Sequence, residues 1–322
     1  MKKEILKVLL DNKGAYISGE ELSERLQISR TAIWKHINSL KEAGYIIEAK
    51  SRQGYRLVAK PDILLAEELV LNMETEWLGR RIQVFDEIPS TNDLAKKLAA
   101  EGTAEGTVVI ADKQTQGRGR MGRAWSSPAG QGLWFSVVLR PPLQPYQASE
   151  LVFVAAVGVC QALRDLTGLD ILIKWPNDLL LDGKKVCGIL AEMSAEIDLL
   201  NYVVIGIGIN VNQREEDFPA ELAMTATSLR LASEEYFRRS ELLPAILLQL
   251  ERAYIGYLQK GFAYILDLWK TMNCTLGREV KVISHGTEYY GKAEDLAQDG
   301  SLLVRKADQQ LEKVMVGDVS LR

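Results

Sequence analysis

Cysteine and histidine are scarce in this sequence. Three cysteines, Cys160, Cys187 and Cys274, stand apart in apolar or mixed surroundings and make neither a disulfide framework nor a CxxC metal site. With only two histidines, His36 and His285, histidine-based metal sites and Ser-His chemistry are poor candidates. No run reaches the ~18 uninterrupted apolar residues of a membrane span. The opening stretch, with charges at Lys2, Lys3, Glu4, Lys7 and Asp11, lacks the apolar core and small-residue cleavage site of a signal peptide. Sequence repeats and low-complexity segments are also lacking. These absences predict a cytoplasmic protein, with no membrane partner, whose chemistry rests on backbone amides, lysine, arginine and carboxylates.

What is present is a folded composition, 47% hydrophobic and 25% charged over 322 residues, too long for one ordinary core. The net charge of −4 hides an asymmetry. Residues 1–60 hold 12 Lys/Arg against 7 Asp/Glu, a net of +5, and the remainder carries −9. A basic module ahead of an acidic body suggests an anionic partner for the module alone.

That module reads as three short helices and a hairpin. Helix one covers about Lys2–Asp11. Ser18 caps a helix running to Leu26, Gln27-Ile28 turns, and Ser29 caps Arg30–Lys41, which Gly44 stops. Ile33, Ile37 and Leu40 share one face of that last helix. Thr31, Lys35 and Asn38 project from the other, with Trp34 at the flank. Tyr45–Leu57 follows as two strands around Ser51–Gly54, with Lys50, Arg52 and Arg56 near the tip. A helical interaction module with a solvated basic face is the bland alternative. Helix, turn, helix and wing favour sequence-specific DNA binding through Thr31, Trp34, Lys35, Asn38 and Arg52.

Lys60-Pro61 ends the module, and residues 62–80 are expected to form a linker helix. From Arg81 strands and helices alternate, predicting a mixed α/β domain to about residue 272. Strands are expected at 82–86, 107–112, 133–140, 171–175, 178–181, 186–193 and 203–211, and main helices near 91–100, 147–167 and 240–259. Residues 273–322 then predict a small all-β barrel, with strands Glu279–Ser284, Glu288–Leu296, Ser301–Lys306 and Glu312–Val316 and turns at His285-Gly286 and Asp299-Gly300.

Two segments of the middle carry chemistry. In Gly117-Arg-Gly-Arg-Met-Gly-Arg-Ala-Trp125, three glycines let backbone approach a ligand closely. Arg118, Arg120 and Arg123 supply planar donor forks suited to phosphate or carboxylate. By composition alone, a nucleic-acid loop or an exposed basic turn fits as well. In the second segment, Lys174, Asn177 and Asp178 break an apolar run. Asp182-Gly183 turns, and Lys184 or Lys185 re-enters the sheet, where its charge needs an anionic partner. An exposed edge lysine beside a surface turn is the alternative.

Taken in order, Ser90-Thr91-Asn92, Gln114 ahead of the glycine-arginine loop, Lys174–Leu190 (KWPNDLLLDGKKVCGIL) and Gly206-Ile-Gly-Ile-Asn210 resemble the successive motifs of biotin–protein ligases. With the winged helix, the whole chain is similar to the bacterial bifunctional ligase and biotin-operon repressor family. Departures are small: Gln116 precedes the loop where a small residue is common, and Met121 occupies its variable centre.

The resemblance implies an α+β multidomain fold: an N-terminal winged helix-turn-helix, a central domain of class II aminoacyl-tRNA synthetase/biotin ligase type, and an SH3-like C-terminal β-barrel. It implies that biotin and ATP react, with Mg²⁺, to biotinyl-5′-AMP. A lysine of the biotin carboxyl carrier protein of acetyl-CoA carboxylase then takes the biotinyl group. By matching position, Ser90, Thr91, Asn92 and Gln114 line the biotin pocket, and Arg118, Gly119 and Arg120 close over biotin and phosphates. Lys185 bridges carboxylate and α-phosphate, Trp125 stacks on the adenine side, and Asn177 and Asp178 help place Mg²⁺. Lys185, Arg118 and Arg120 are thus the implied catalytic residues. Operator DNA and an adenylate-bound homodimer complete the implied partners. A non-catalytic biotin-sensing regulator is the alternative, and a lipoate-type ligase a weaker third.

Overall fold

The computed structural model describes residues 1–12, 14–42, 44–59, 62–284, 287–315 and 317–321. The expected breaks at Lys60-Pro61 and His285-Gly286, and the end of the last expected strand at Val316, lie outside them. The chain divides into two compact units: residues 1–72 with 238–240, and residues 73–237 with 241–322.

In the first unit α1 (Lys2–Asp11), α2 (Gly19–Leu26) and α3 (Arg30–Glu42) precede the hairpin β1 (Ile46–Lys50) and β2 (Gly54–Ala59), and α4 (Ala66–Leu71) follows. The Ser18 hydroxyl accepts from the Glu21 N–H at 3.0 Å, and Ser29 does the same for Ala32 at 3.2 Å, so both expected caps form. Gln27 takes a left-handed conformation (φ 52°) and turns the chain from α2 into α3. One apolar face from each helix, including Leu6, Leu9, Leu22, Ile33 and Ile37, closes a common core with Tyr45 and Ile47. Ile17 exchanges backbone hydrogen bonds with Tyr55 at 2.9 and 2.8 Å, an isolated bridge that ties the wing to the chain before α2.

The second unit runs β3 (Ile82–Ile88), α5 (Thr91–Ala100), β4 (Val108–Gln114), β5 (Gly132–Leu139), α6 (Glu150–Thr167), β6 (Leu172–Lys174), β7 (Asp178–Leu181), β8 (Lys184–Ala195), β9 (Leu200–Asn210), α7 (Leu229–Ser233), α8 (Arg239–Lys260) and α9 (Phe262–Thr271). β10 (Glu279–Ser284), β11 (Thr287–Leu296), β12 (Leu302–Lys306), β13 (Leu311–Val314) and β14 (Asp318–Leu321) close the chain. Seven strands form a sheet in the order β3-β4-β5-β9-β8-β7-β6, parallel only between β3 and β4. The last five form an antiparallel sheet in the order β13-β12-β11-β10-β14. α6 is apolar enough to pass for a membrane helix, but 67% of its apolar window is buried in this unit. Its hydrophobicity serves packing.

Three differences from the sequence expectation have physical causes. The helix expected over 62–80 is confined to Ala66–Leu71. Beyond it the N–H groups of Glu76, Trp77 and Leu78 donate to the buried Glu251 carboxylate at 2.8, 3.0 and 2.8 Å, a tertiary partner replacing helical carbonyls. α9 is additional to the expected helices; Ile265, Leu266 and Trp269 bury its apolar stripe. β14 is likewise additional, and it forms by pairing with β10, nearly forty residues earlier in the chain.

Candidate active site and nucleic-acid interface

Cross-strand register builds the site floor. Trp134 of β5, Gly208 of β9 and Gly188 of β8 lie in one row, and Ser136, Gly206 and Leu190 in the next. Side chains of a strand alternate between faces, so these rows share one face of the sheet. Cys187 and Ile189, pointing the other way, are buried in the core. Glycine in the rows leaves room for side chains arriving from above. A Cβ on Gly208 would lie 2.5 Å from Trp125 Nε1, and one on Gly206 would collide with the Asn92 amide.

A bulge then brings in the lysine. Leu179 opposes Cys187 but Leu180 opposes Lys185, so Val186 is an extra residue and Lys185 joins the face of Gly188. A Cβ on Gly188 would sit 3.2 Å from Lys185 Nζ, which confirms the shared face. Of the two candidate lysines, Lys185 therefore enters the cavity. Its ammonium pairs with Asp178 Oδ1 at 2.6 Å and stands 5.2 Å from the centre of the Trp125 ring.

The polar wall comes from the N-terminus of α5. Ser90 caps the helix by accepting from the Asp93 N–H. The Thr91 N–H and hydroxyl donate to Gln114 Oε1 at 2.9 and 3.1 Å, and Gln114 Nε2 donates to Ser127 at 2.9 Å. Ser136, Asn92, Glu192 and Lys96 continue the network.

The glycine-arginine loop crosses this space. Arg118 pairs with Asp93, Arg123 pairs with Asp318, and Arg120 donates to Asn177 Oδ1 at 3.0 Å and to the Gly317 carbonyl at 3.2 Å. Burial pulls the Arg120 pKa below its ordinary value, against the pull of Asp318 and Asp178. A cavity of about 500 Å³ results, lined by Ser90, Thr91, Asn92, Gln114, Arg118, Gly119, Arg120, Trp125, Asn177, Asp178 and Lys185 together. The Trp125 indole N–H, buried within this wall, has no hydrogen-bond partner. Among the described residues no group of three His, Cys, Asp or Glu is placed to hold a metal.

In the first unit Thr31, Trp34 and Lys35 are exposed on α3 and Asn38 is half-buried. Arg52 is exposed at the wing turn with φ 64°. Arg56, near the same tip, is taken by Glu48 at 2.7 Å and packs 5.0 Å from the Tyr16 ring centre.

Comparisons with known proteins place the chain in a family. A model of the biotin/lipoate A/B protein ligase family matches residues 84–210, a helix-turn-helix domain model matches 2–56, and a biotin protein ligase C-terminal domain model matches 275–322. The bifunctional ligase/repressor BirA of Bacillus subtilis is 40% identical over 321 residues, spanning 100% of this chain and 98% of that protein. The chain belongs to the bifunctional ligase/repressor family of biotin–protein ligases. BirA of Escherichia coli is 32% identical over 96% of this chain and 94% of its own. The biotin protein ligase from Aquifex aeolicus, solved in complex with biotin and ATP, matches at TM-score 0.65 and 32% identity, covering 76% of this chain and 99% of that one.

The cavity of this ligase/repressor family member also has walls that sequence reading missed. Ser136, fully buried, backs the polar wall through sheet register alone by donating to Asn92. Gln213, Phe218, Leu222 and Met224 come from an irregular segment with no periodicity to betray it. Asp318 and Ser320 arrive on the unforeseen β14.

Proposed function

We propose that the protein is an ATP-dependent biotin–protein ligase and an adenylate-dependent repressor of biotin genes. It forms biotinyl-5′-AMP and passes the biotinyl group to a lysine of the biotin carboxyl carrier protein. The observation that carries this reading is the convergence of a neutral polar wall, an arginine loop and Lys185 on one cavity.

In the first step a biotin carboxylate oxygen attacks the α-phosphorus of ATP and pyrophosphate leaves. Little covalent chemistry falls to the protein, so positioning and charge neutralisation dominate. Ser90, Thr91, Asn92 and Gln114 hold the ureido ring. Lys185 leaves Asp178 to lie between carboxylate and α-phosphate, offsetting the negative charge that gathers there. Arg118 and Arg120 exchange their protein partners for carboxylate and phosphate oxygens, and Gly119 lets the backbone close in. Trp125 takes the adenine side. Mg²⁺ would supply charge neutralisation on the phosphates, and Asn177 and Asp178, which line the cavity, are the residues that would help hold it. In the second step the carrier's lysine amine attacks the mixed anhydride and AMP departs, so no nucleophile is needed from this chain.

The winged module, residues 1–60, holds operator DNA through Thr31, Trp34, Lys35, Asn38 and Arg52. Residues 61–80 link it to the ligase domain, 81–272, and to the SH3-like domain, 273–322. Adenylate-bound protein forms a homodimer, which suits paired half-sites. An operator and a carrier protein as partners support a cytoplasmic location. Incubation with ATP, labelled biotin and a carrier domain tests the reading: label on the carrier lysine with stoichiometric pyrophosphate and AMP is expected. Biotin binding without pyrophosphate release leaves a sensing regulator instead.

A further inference from the structure

Glu192 lies on β8 beyond Leu190, on the strand face that carries Gly188 and, after the bulge, Lys185. It does not line the cavity. Its carboxylate accepts from Asn92 Nδ2 at 2.8 Å and from Lys96 Nζ at 2.5 Å. Burial pulls the Lys96 pKa down, but its bonds to Glu192 and Asp93 outweigh this and leave it above the ordinary value. Asn92 is itself 5% exposed and sits over Gly206, where any Cβ would strike its amide.

An asparagine amide has two orientations of nearly the same shape, and its partners choose between them. A carboxylate only accepts, so Glu192 forces the NH₂ of Asn92 toward itself. Asn92 Oδ1 then faces Ser136 and accepts its hydroxyl at 2.6 Å. That commits the single Ser136 proton. Thr91 Oγ1, 2.8 Å from Ser136, donates to Gln114 Oε1 at 3.1 Å, and the Thr91 N–H fixes that glutamine separately. The donor and acceptor pattern at Asn92 and Ser136 thus follows from one acceptor outside the cavity.

We propose that Glu192 is a positioning residue for biotin, fixing the Asn92 amide and through it the hydrogen-bond polarity of the wall that receives the ureido ring. The inference rests on the reading that the cavity takes biotin. A ureido group offers one carbonyl and two N–H groups, so a wall of reversed polarity sets donors against donors and loses affinity.

The test is biotin titration calorimetry and steady-state kinetics on the full chain. Glu192→Gln is isosteric, yet Lys96 attracts the new amide carbonyl and turns its NH₂ toward Asn92, reversing the wall. It is expected to raise the biotin Kd and KM about tenfold, equivalent to ~1.4 kcal/mol, with the KM for ATP unchanged. Lys96→Met alone leaves Glu192 on Asn92 and stays within about threefold of wild type. Lys96→Met/Glu192→Gln frees the glutamine to turn its carbonyl back, and is expected to recover to within about threefold as well. Such recovery by a second substitution has no counterpart in a merely structural role. Wild-type biotin affinity in Glu192→Gln, no recovery in the double variant, or an equal loss in ATP KM overturns the positioning role while wild type still binds biotin. A wild-type protein that does not bind biotin overturns the underlying reading and this one with it.

Discussion

Lys185 is paired with Asp178, a partner that the proposed role requires it to leave for two negatively charged substrates. Replacing it with alanine removes a preorganised charge from the developing transition state, expected to cost about 3–4 kcal/mol, or roughly a hundredfold or more in rate. Single-turnover synthesis of biotinyl-AMP by Lys185→Ala at a near wild-type rate would rule out this role. Gly208 is a second residue where one atom decides. A methyl group there displaces the Trp125 indole, so Gly208→Ala is expected to weaken ATP binding several-fold with little loss of biotin affinity, as two separate titrations can check. The cysteines matter differently. All three are buried; burial pushes the Cys160 thiol up to about 12 and raises Cys187 and Cys274. The folded protein therefore keeps thiol protons that the unfolded chain gives up from about pH 8.5. Their contribution to stability is whole below that pH and is lost as the pH climbs through the folded values. Denaturation midpoints should fall from about pH 9 upward, less steeply in Cys160→Ala. A stability curve flat to pH 11 contradicts this.

At the scale of elements, α3 divides its labour by face. Ile33, Ile37 and Leu40 are fully buried, whereas Thr31 and Lys35 bear no packing load. Substituting Thr31, Lys35 and Asn38 together with alanine should leave the fold intact. Specific operator affinity should drop by roughly 1–3 kcal/mol for each base that goes unread, and the salt dependence should flatten because Lys35 no longer brings its charge to the DNA. Fluorescence anisotropy across a salt series measures both; undiminished specific binding means the groove-facing residues are elsewhere. β8 shows the opposite case, an element whose function hangs on an irregularity. One extra residue at Val186 rotates Lys185 onto the site face, while Cys187 to Ser194 keep a regular register with β9.

For the whole molecule, ligation and repression draw on the same intermediate. A loop of three arginines held by Asp93, Asn177 and Asp318 has partners to exchange when adenylate binds, and such a rearrangement can complete a surface for a second copy. Adenylate should therefore promote homodimerisation and operator binding, with carrier competing for the monomer. Linkage requires dimerisation to tighten adenylate binding by the same factor, about 1.4 kcal/mol for a tenfold effect. Sedimentation with and without adenylate, alongside operator titration, checks this. If both constants are indifferent to adenylate, the switch is absent.

The sequence by itself determined whatever rests on local pattern. Capping serines, helical periodicity and a basic tip are short-range signals, and they specified the winged helix nearly residue by residue. The glycine-arginine loop and the segment from Lys174 to Leu190 were legible for the same reason: their spacing is contiguous. Tertiary structure supplied the physical reason that Lys185, as the resemblance implied, and not Lys184 faces the cavity, because a bulge is a property of two paired strands. It alone placed Ser136 and Glu192 beside Asn92, and Asp318 beside Arg123, across separations of dozens to nearly two hundred residues. It also ended the linker helix early, where Glu251 claims three backbone amides. In each case the deciding partner is distant along the chain, and the sheet register that delivers it follows from burying one whole face at once.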